Sequence, residues 1–285
     1  MTRFDPLADR VAALLDRLEA LLPAAPAPPD WGFNAYRWRR TGGRGYLQGL
    51  PHPHRVSLDD LLCLDRQRAE IERNTRQFLA GRSANNVLLW GARGTGKSSL
   101  VKAVLTKLHV QGLRLIEVDK DDLVDLADIL DLIRHRPERF IAFCDDLSFE
   151  AGEPGYKALK AALEGSIAAS PENLLIYATS NRRHLVPELQ HENREAHMVE
   201  GEIHQGESVD EKISLSDRFG LWISFHPFSQ AQYLQIIHHW LKRFAAQDLA
   251  LDDVDRAALQ WALRRGSRSG RTAWQFARDR AGRVA

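Results

Sequence analysis

Residues Gly91-Ala92-Arg93-Gly94-Thr95-Gly96-Lys97-Ser98 follow the order G-x-x-x-x-G-K-S. Glycines at such spacing let successive backbone N–H groups curl around an anion, and a helix starting directly afterwards adds its partial positive charge. A lysine in the place of Lys97 reaches β- and γ-phosphates, and a hydroxyl in the place of Ser98 is offered to Mg²⁺. ATP or a close relative is therefore the expected ligand, gripped by Gly91 to Ser98 and by the neighbouring Ser99. The loop alone serves a kinase, a GTPase or a motor equally well, and a chance glycine turn before a helix would share some of its residues. Its flanks favour the phosphate reading, because the apolar run Asn86–Trp90 reads as a strand ending at Gly91 and SSLVKAVLTKL reads as a helix.

A second group lies some fifty residues on. Phe140–Cys144 is an apolar run that ends in Asp145-Asp146. A carboxylate at the end of a strand beside a phosphate loop holds the water shell of Mg²⁺, the role that Asp145 fits. A second carboxylate directly after it suits polarisation of an attacking water, so Asp146 points to hydrolysis rather than binding alone. The plainer reading is that an Asp-Asp pair caps the next turn. Asp146 is also one methylene shorter than a glutamate would be.

These groups need a scaffold, and the apolar pattern supplies one. Strand-like runs at Asn86–Trp90, Leu113–Val118, Phe140–Cys144, Leu174–Thr179 and Leu221–Phe225 alternate with helical segments near Lys97–Gln111, Asp122–Arg136 and Gly155–Ala169. Such alternation predicts a parallel five-stranded sheet with helices on both faces. After Pro227 the strand pattern stops, and Ser229–Ala246, Asp252–Arg265 and Gly270–Gly282 read as three helices of a small all-helical domain. Before Ser57, Asp5-Pro6 opens an amphipathic helix with Leu7, Val11, Leu14, Leu18 and Leu21 on one stripe, and PAAPAPPD stops it as a stiff linker. The aromatic and arginine-rich WGFNAYRWRRTGGRGYL that follows has no assignable periodicity. The expected division is 1–56 as an N-terminal helical arm, 57–227 as the α/β domain with a polar, acid-rich insertion at about 182–214, and 228–285 as the helical domain.

Composition narrows the setting. The 285 residues are 44% hydrophobic and 27% charged with a formal net charge of +1, so contact with nucleic acid or membrane would have to come from a local patch. Two distant cysteines in apolar settings, Cys63 and Cys144, form no disulfide framework or metal spacing and fit a reducing cytosol. MTRFDPLADR has no apolar run after its basic residue, and no apolar stretch is long enough to span a bilayer. A cytoplasmic protein without membrane partners is expected.

GARGTGKSSL, FCDDLSF, YATSNRRHLVPE and EKISLSDRFG together resemble AAA+ ATPases over roughly Ser57 to Gly282, and in particular a bacterial family of stand-alone AAA+ ATPases of uncharacterised cellular role. The resemblance implies an α/β nucleotide-binding domain followed by a helical lid. By position it gives Asn181 the part of the polar sensor at the γ-phosphate or the water, although an Asn opening a turn is common chemistry too. It gives Arg218 the part of the arginine offered to a neighbouring protomer's γ-phosphate, hence a homo-oligomer, either ring or dimer. The alternative for Arg218 is a surface ion pair with Asp217 or a glutamate. Arg271 matches the arginine of the lid, with Arg268 as a near competitor. Leu62 and Leu64 lie where such proteins run past the adenine, and plain core leucines would look the same. Two departures count. Asp119-Lys-Asp-Asp122 stands where polypeptide-threading motors carry an aromatic-apolar-Gly loop, which disfavours an unfoldase, and residues 1–56 lie outside the superfamily pattern.

Weaker signals remain. Arg37, Arg39, Arg40 and Arg44 with Tyr36, Trp38 and Tyr46 form the kind of mixture that stacks bases and tracks a nucleic-acid backbone, but arginine–aromatic stacking within one chain gives the same pattern more often. Tyr156, Lys157 and Lys160 would line a central channel or form a solvated helix face. His184, His191, His197 and His204 lack the paired spacing of a zinc site. The expected activity is magnesium-dependent ATP hydrolysis at a site shared between protomers. The rival readings are an ATP-dependent switch or loader with little turnover, a nucleic-acid remodeller and a small-molecule P-loop kinase.

Overall fold

In a computed structural model the described residues are 10–14, 27–149, 153–164, 171–183, 185, 198–199, 202–203, 215–244 and 251–283. Strands β1 (Ala35–Thr41) and β2 (Arg44–Gly49) form a hairpin ahead of β3 (Val87–Gly91), β4 (Leu113–Glu117), β5 (Arg139–Cys144) and β6 (Leu174–Ser180). A short antiparallel pair, β7 (Met198–Val199) and β8 (Glu202–Ile203), precedes β9 (Leu221–Phe225). The main sheet has seven strands in the order β2-β1-β4-β5-β6-β3-β9, all neighbours parallel except the hairpin.

The expected count of five strands is therefore corrected to seven. The five apolar runs became β4, β5, β6, β3 and β9, and the two extra strands come from the arginine-rich stretch that shows no simple periodicity. Its hidden alternation places Tyr36 and Trp38 inward, while Arg37 and Arg39 meet acids of the neighbouring segment. Arg37 Nε donates to Glu117 at 2.7 Å, Arg39 lies 3.7 Å from Asp119, and Arg40 lies 3.3 Å from Asp125. The Trp38 indole is 1% exposed and donates to Asp125 at 2.8 Å. Arg37, Arg39 and Arg40 are thus each paired with a carboxylate of the chain, while their side chains stay 35%, 41% and 44% exposed.

Trp38 also explains Gly45. A Cβ on Gly45 would stand 1.9 Å from the indole ring. Gly45→Ala is expected to cost about 1–3 kcal/mol through overpacking. The check is the midpoint of urea unfolding followed by tryptophan fluorescence, and an unchanged midpoint would mean that the hairpin repacks freely.

Helices α1 (Asp65–Leu79), α2 (Lys97–Leu108), α3 (Leu126–Ile133) and α4 (Pro154–Glu164) flank the sheet, and α5 (Gln230–Arg243), α6 (Leu251–Arg265) and α7 (Gly270–Ala281) follow it. Side chains alternate across a strand, so each buried strand feeds two cores. Leu89, Ile141, Phe143 and Tyr177 pack with Ile71 and Phe78 of α1 and Leu100 and Val104 of α2. Leu88, Phe140, Ala142 and Ile176 pack on the opposite face with Ile129 of α3, Leu159 of α4 and Trp38 of the hairpin. Phe228, Tyr233, Ile237 and Phe276 carry the first core onward into the three C-terminal helices. Ser229 and Ser269 close capping boxes at the starts of α5 and α7.

Residues 10–14 of the expected N-terminal helix are helical and exposed, and the rest of that segment lies outside the described residues. Most of the insertion also lies outside them, including His184, His191, His197 and His204. Among the described residues no helix is long and apolar enough to cross a membrane.

Candidate functional site

The phosphate loop leaves β3 where that strand is squeezed between β6 and β9. Ala92 donates its N–H to the carbonyl of Phe225 on β9 at 3.2 Å, and a Cβ on Gly91 would lie 1.9 Å from that same oxygen. With Gly91 at φ +131, only glycine fits this corner, and the loop is anchored to β9 before it curls. Thr95 Oγ1 then donates to the Ala92 carbonyl at 2.7 Å and pulls the loop closed.

Lys97, the first residue of α2, is 7% exposed. Its ammonium donates to the carbonyls of Gly91 at 2.8 Å and Ala92 at 2.9 Å and to Asn181 Oδ1 at 3.1 Å. Burial pushes its pKa down, Asp146 and Asp145 oppose that shift, and Arg93 and Arg271 add to it. The buried ammonium thus lies among two carboxylates and two guanidinium groups.

Ser98 Oγ donates to Asp145 Oδ1 at 2.6 Å. The hydroxyl and carboxylate expected to share a metal therefore touch, although they lie on different elements. Asn181, just past β6, also donates its amide nitrogen to the Asp146 carboxylate. One asparagine thus bridges the loop lysine and the second acid. Asp146 sits at φ +52, a left-handed conformation that Asp tolerates far better than longer side chains. An aspartate suits this backbone better than a glutamate does.

The loop faces a cleft of about 1080 Å³ between the sheet and α5–α7. Arg93, Gly94, Thr95, Gly96, Lys97, Ser98, Ser99, Asp145, Asp146 and Asn181 line it, whereas Gly91 and Ala92 contribute through their carbonyls on Lys97. Leu62 and Leu64 line its other end, Leu64 only 4% exposed, with Ile236 and Trp240 of α5 opposite. Arg271 lines the cleft too, and its backbone N–H donates to the Gly94 carbonyl at 3.3 Å, so α7 starts on the phosphate loop itself. Arg268 is exposed and does not line the cleft.

Arg218 is not brought to this cleft. Its guanidinium bonds Glu164 at the end of α4, the glutamate ion pair that the sequence left open. Tyr156 is buried in an edge-on contact with Phe149 at 6.0 Å, so it does not line a channel. Sequence reasoning missed Thr179, whose hydroxyl touches the acid pair, and the aromatic side chains Trp240, Phe244 and Trp274 on the cleft wall. The visible signal for Thr179 was a polar residue closing an apolar strand just before Asn181. Among the described residues no cluster of His, Cys, Asp or Glu could hold a metal ion unaided.

The fold, with a strand–loop–helix around a buried lysine, an acid pair on the second strand away and three C-terminal helices beside the cleft, is shared with RuvB. Thermotoga maritima RuvB, described as a Holliday junction branch migration motor, matches at 16% identity with a TM-score of 0.50, over 78% of this chain and 63% of that one. A single-residue variant of the same protein matches at 21% identity with a TM-score of 0.49, over 78% and 63%. The chain thus spans 63% of the length of these RuvB chains. A family model described as "Protein of unknown function (DUF815)" matches residues 32–284, and the chain belongs to that family. No curated protein matches the chain.

Proposed function

We propose that this protein binds Mg-ATP in the cleft and hydrolyses it, with Arg218 of a neighbouring copy completing the site. The observation that carries the reading is the Ser98 hydroxyl at 2.6 Å from the Asp145 carboxylate, beside the buried Lys97. One hydroxyl and one carboxylate, with no further ligand cluster among the described residues, suit a hard cation that takes most of its oxygens from phosphates and water, as Mg²⁺ does. When bound, that ion neutralises charge developing on the phosphates.

The chain's own groups supply the rest. Lys97 exchanges the carbonyls of Gly91 and Ala92 for β- and γ-phosphate oxygens, which relieves its burial. Arg93 and Arg271 add charge from either side of the loop. Asp146 orients the attacking water and takes its proton, and Asn181, bonded to that carboxylate, senses the γ-phosphate. Leu64 and Leu62 flank the base against the lid formed by α5–α7, and the Arg271–Gly94 contact transmits the state of the phosphates to that lid. Arg218, outside its own cleft, serves an adjacent protomer. The work done is then a conformational change within a homo-oligomer rather than a released small-molecule product.

Asp146→Asn keeps a side chain that tolerates the left-handed backbone but removes the proton acceptor. It is expected to leave nucleotide affinity in place and to cut turnover by about 10²-fold or more. Steady-state phosphate release reads this out, and wild-type turnover in the variant would remove Asp146 from the mechanism. A second reading, a switch or loader with little turnover, is favoured by the Asn181 amide bonded to the same carboxylate, which lowers its availability as a base. It predicts nucleotide-dependent binding of a partner with negligible phosphate release. Phosphate release without any acceptor substrate separates the hydrolysis reading from a small-molecule kinase.

A further inference from the structure

Thr179 holds the acid pair from the neighbouring strand. Its side chain, in a residue only 1% exposed, donates to Asp145 Oδ1 at 2.6 Å and accepts the Asp146 backbone N–H at 2.8 Å. Its own carbonyl accepts the N–H of Leu147 at 2.7 Å. One residue of β6 therefore clamps three consecutive residues just past β5. The direction of each bond is fixed, because the Asp146 amide can only donate and the Asp145 carboxylate accepts, so the hydroxyl proton lies toward Asp145.

Two consequences follow. Ser98 and Thr179 both donate to the same oxygen of Asp145, and of the two only Ser98 stands in the phosphate loop. Thr179 reaches that oxygen from β6. The bond from the Asp146 amide satisfies that group where the chain leaves the strand at φ +52, the turn that carries the Asp146 carboxylate to Asn181. The hydroxyl thus fixes the metal-facing acid through its side chain and the water-facing acid through its backbone.

We infer that Thr179 is a positioning residue for hydrolysis, setting the orientation of Asp145 and Asp146 through this one hydroxyl. The inference rests on the ATP-hydrolysis reading of the same site. A merely structural Thr179 makes a different forecast. Valine has the same shape and is an equally good strand former, so a purely steric role is preserved in Thr179→Val. Serine keeps the hydroxyl and loses only a methyl group.

The test compares wild type, Thr179→Val and Thr179→Ser by steady-state phosphate release and by binding of a fluorescent ATP analogue, titrated with Mg²⁺ and repeated in EDTA. Thr179→Val is expected to lower kcat and raise the Mg²⁺ concentration for half-maximal effect by about 10- to 100-fold, the range for lost partners of metal ligands. Its nucleotide affinity in EDTA stays unchanged, and Thr179→Ser retains most of the wild-type values. Wild-type kcat and Mg²⁺ dependence in Thr179→Val overturn the inference, as does a Thr179→Ser variant as impaired as Thr179→Val. If wild type releases no phosphate, the hydrolysis reading fails. The shift in Mg²⁺ requirement for nucleotide binding then decides the role of Thr179 alone, and its absence refutes that role.

Discussion

Lys97→Ala is expected to abolish nucleotide binding, with an affinity loss of more than about a hundredfold, from hydrogen bonds to charged phosphates worth roughly 1.5–3 kcal/mol each. The side chain is buried at the first turn of α2, and its nitrogen already gathers three acceptors from the loop and from Asn181. Burial lowers its pKa, so a polyanion restores what desolvation took away. Arg93 is exposed at the rim, and Arg271 is tethered through its backbone to Gly94. The variant also leaves the Gly91 and Ala92 carbonyls without that donor, so its melting temperature must be recorded beside the binding isotherm. A folded Lys97→Ala protein with wild-type nucleotide affinity would refute the phosphate-loop assignment.

Arg218→Ala is expected to do the opposite, sparing nucleotide affinity while cutting turnover by about a thousandfold, the lower end of the range for an arginine supplied across a subunit boundary. In the isolated chain the guanidinium is engaged by Glu164 and takes no part in lining its own cleft. The backbone beneath it is fixed, with its N–H donating to the Leu215 carbonyl at 3.3 Å and Phe219 buried next door. To serve a neighbour's site, as proposed, the guanidinium must leave Glu164. If Arg218 only made a surface ion pair, its removal would change stability by about 0–1 kcal/mol and leave turnover alone. Affinity and kcat measured on one preparation separate the two outcomes, and full turnover in a strictly monomeric sample would contradict a shared site.

Features coded by local chemistry were legible in the sequence. The phosphate loop is a run of backbone requirements written in consecutive residues, and the strand and helix around it announce themselves by apolar pattern. Asp145 and Asp146 stand out because acids end an otherwise apolar strand. What the sequence hid depends on partners far away in the chain. The hairpin of β1 and β2 carries a two-glycine turn, Gly42-Gly43, with both residues at positive φ, which is a hairpin signal. Its arginines nevertheless masked the alternation until Glu117, Asp119 and Asp125 supplied the opposite charges. Arg218 and Glu164 are 54 residues apart, so their pairing has no local trace. Thr179 is the clearest case, since the same threonine in another strand would only be a good strand former. Its role arises because β5 and β6 lie side by side, with Phe143 opposite Tyr177 and Cys144 opposite Ala178. The choice of Asp at 146 was likewise opaque, because nothing short of the backbone shows that the position is left-handed.

The most direct measurement is phosphate release from ATP per protomer, followed as protein concentration is raised in the presence and absence of Mg²⁺. Hydrolysis at a shared site predicts release that requires Mg²⁺ and whose rate per protomer climbs with concentration before levelling off. No Mg²⁺-dependent release at any concentration would contradict hydrolysis, and a rate per protomer independent of concentration in a monomeric sample would contradict the shared site.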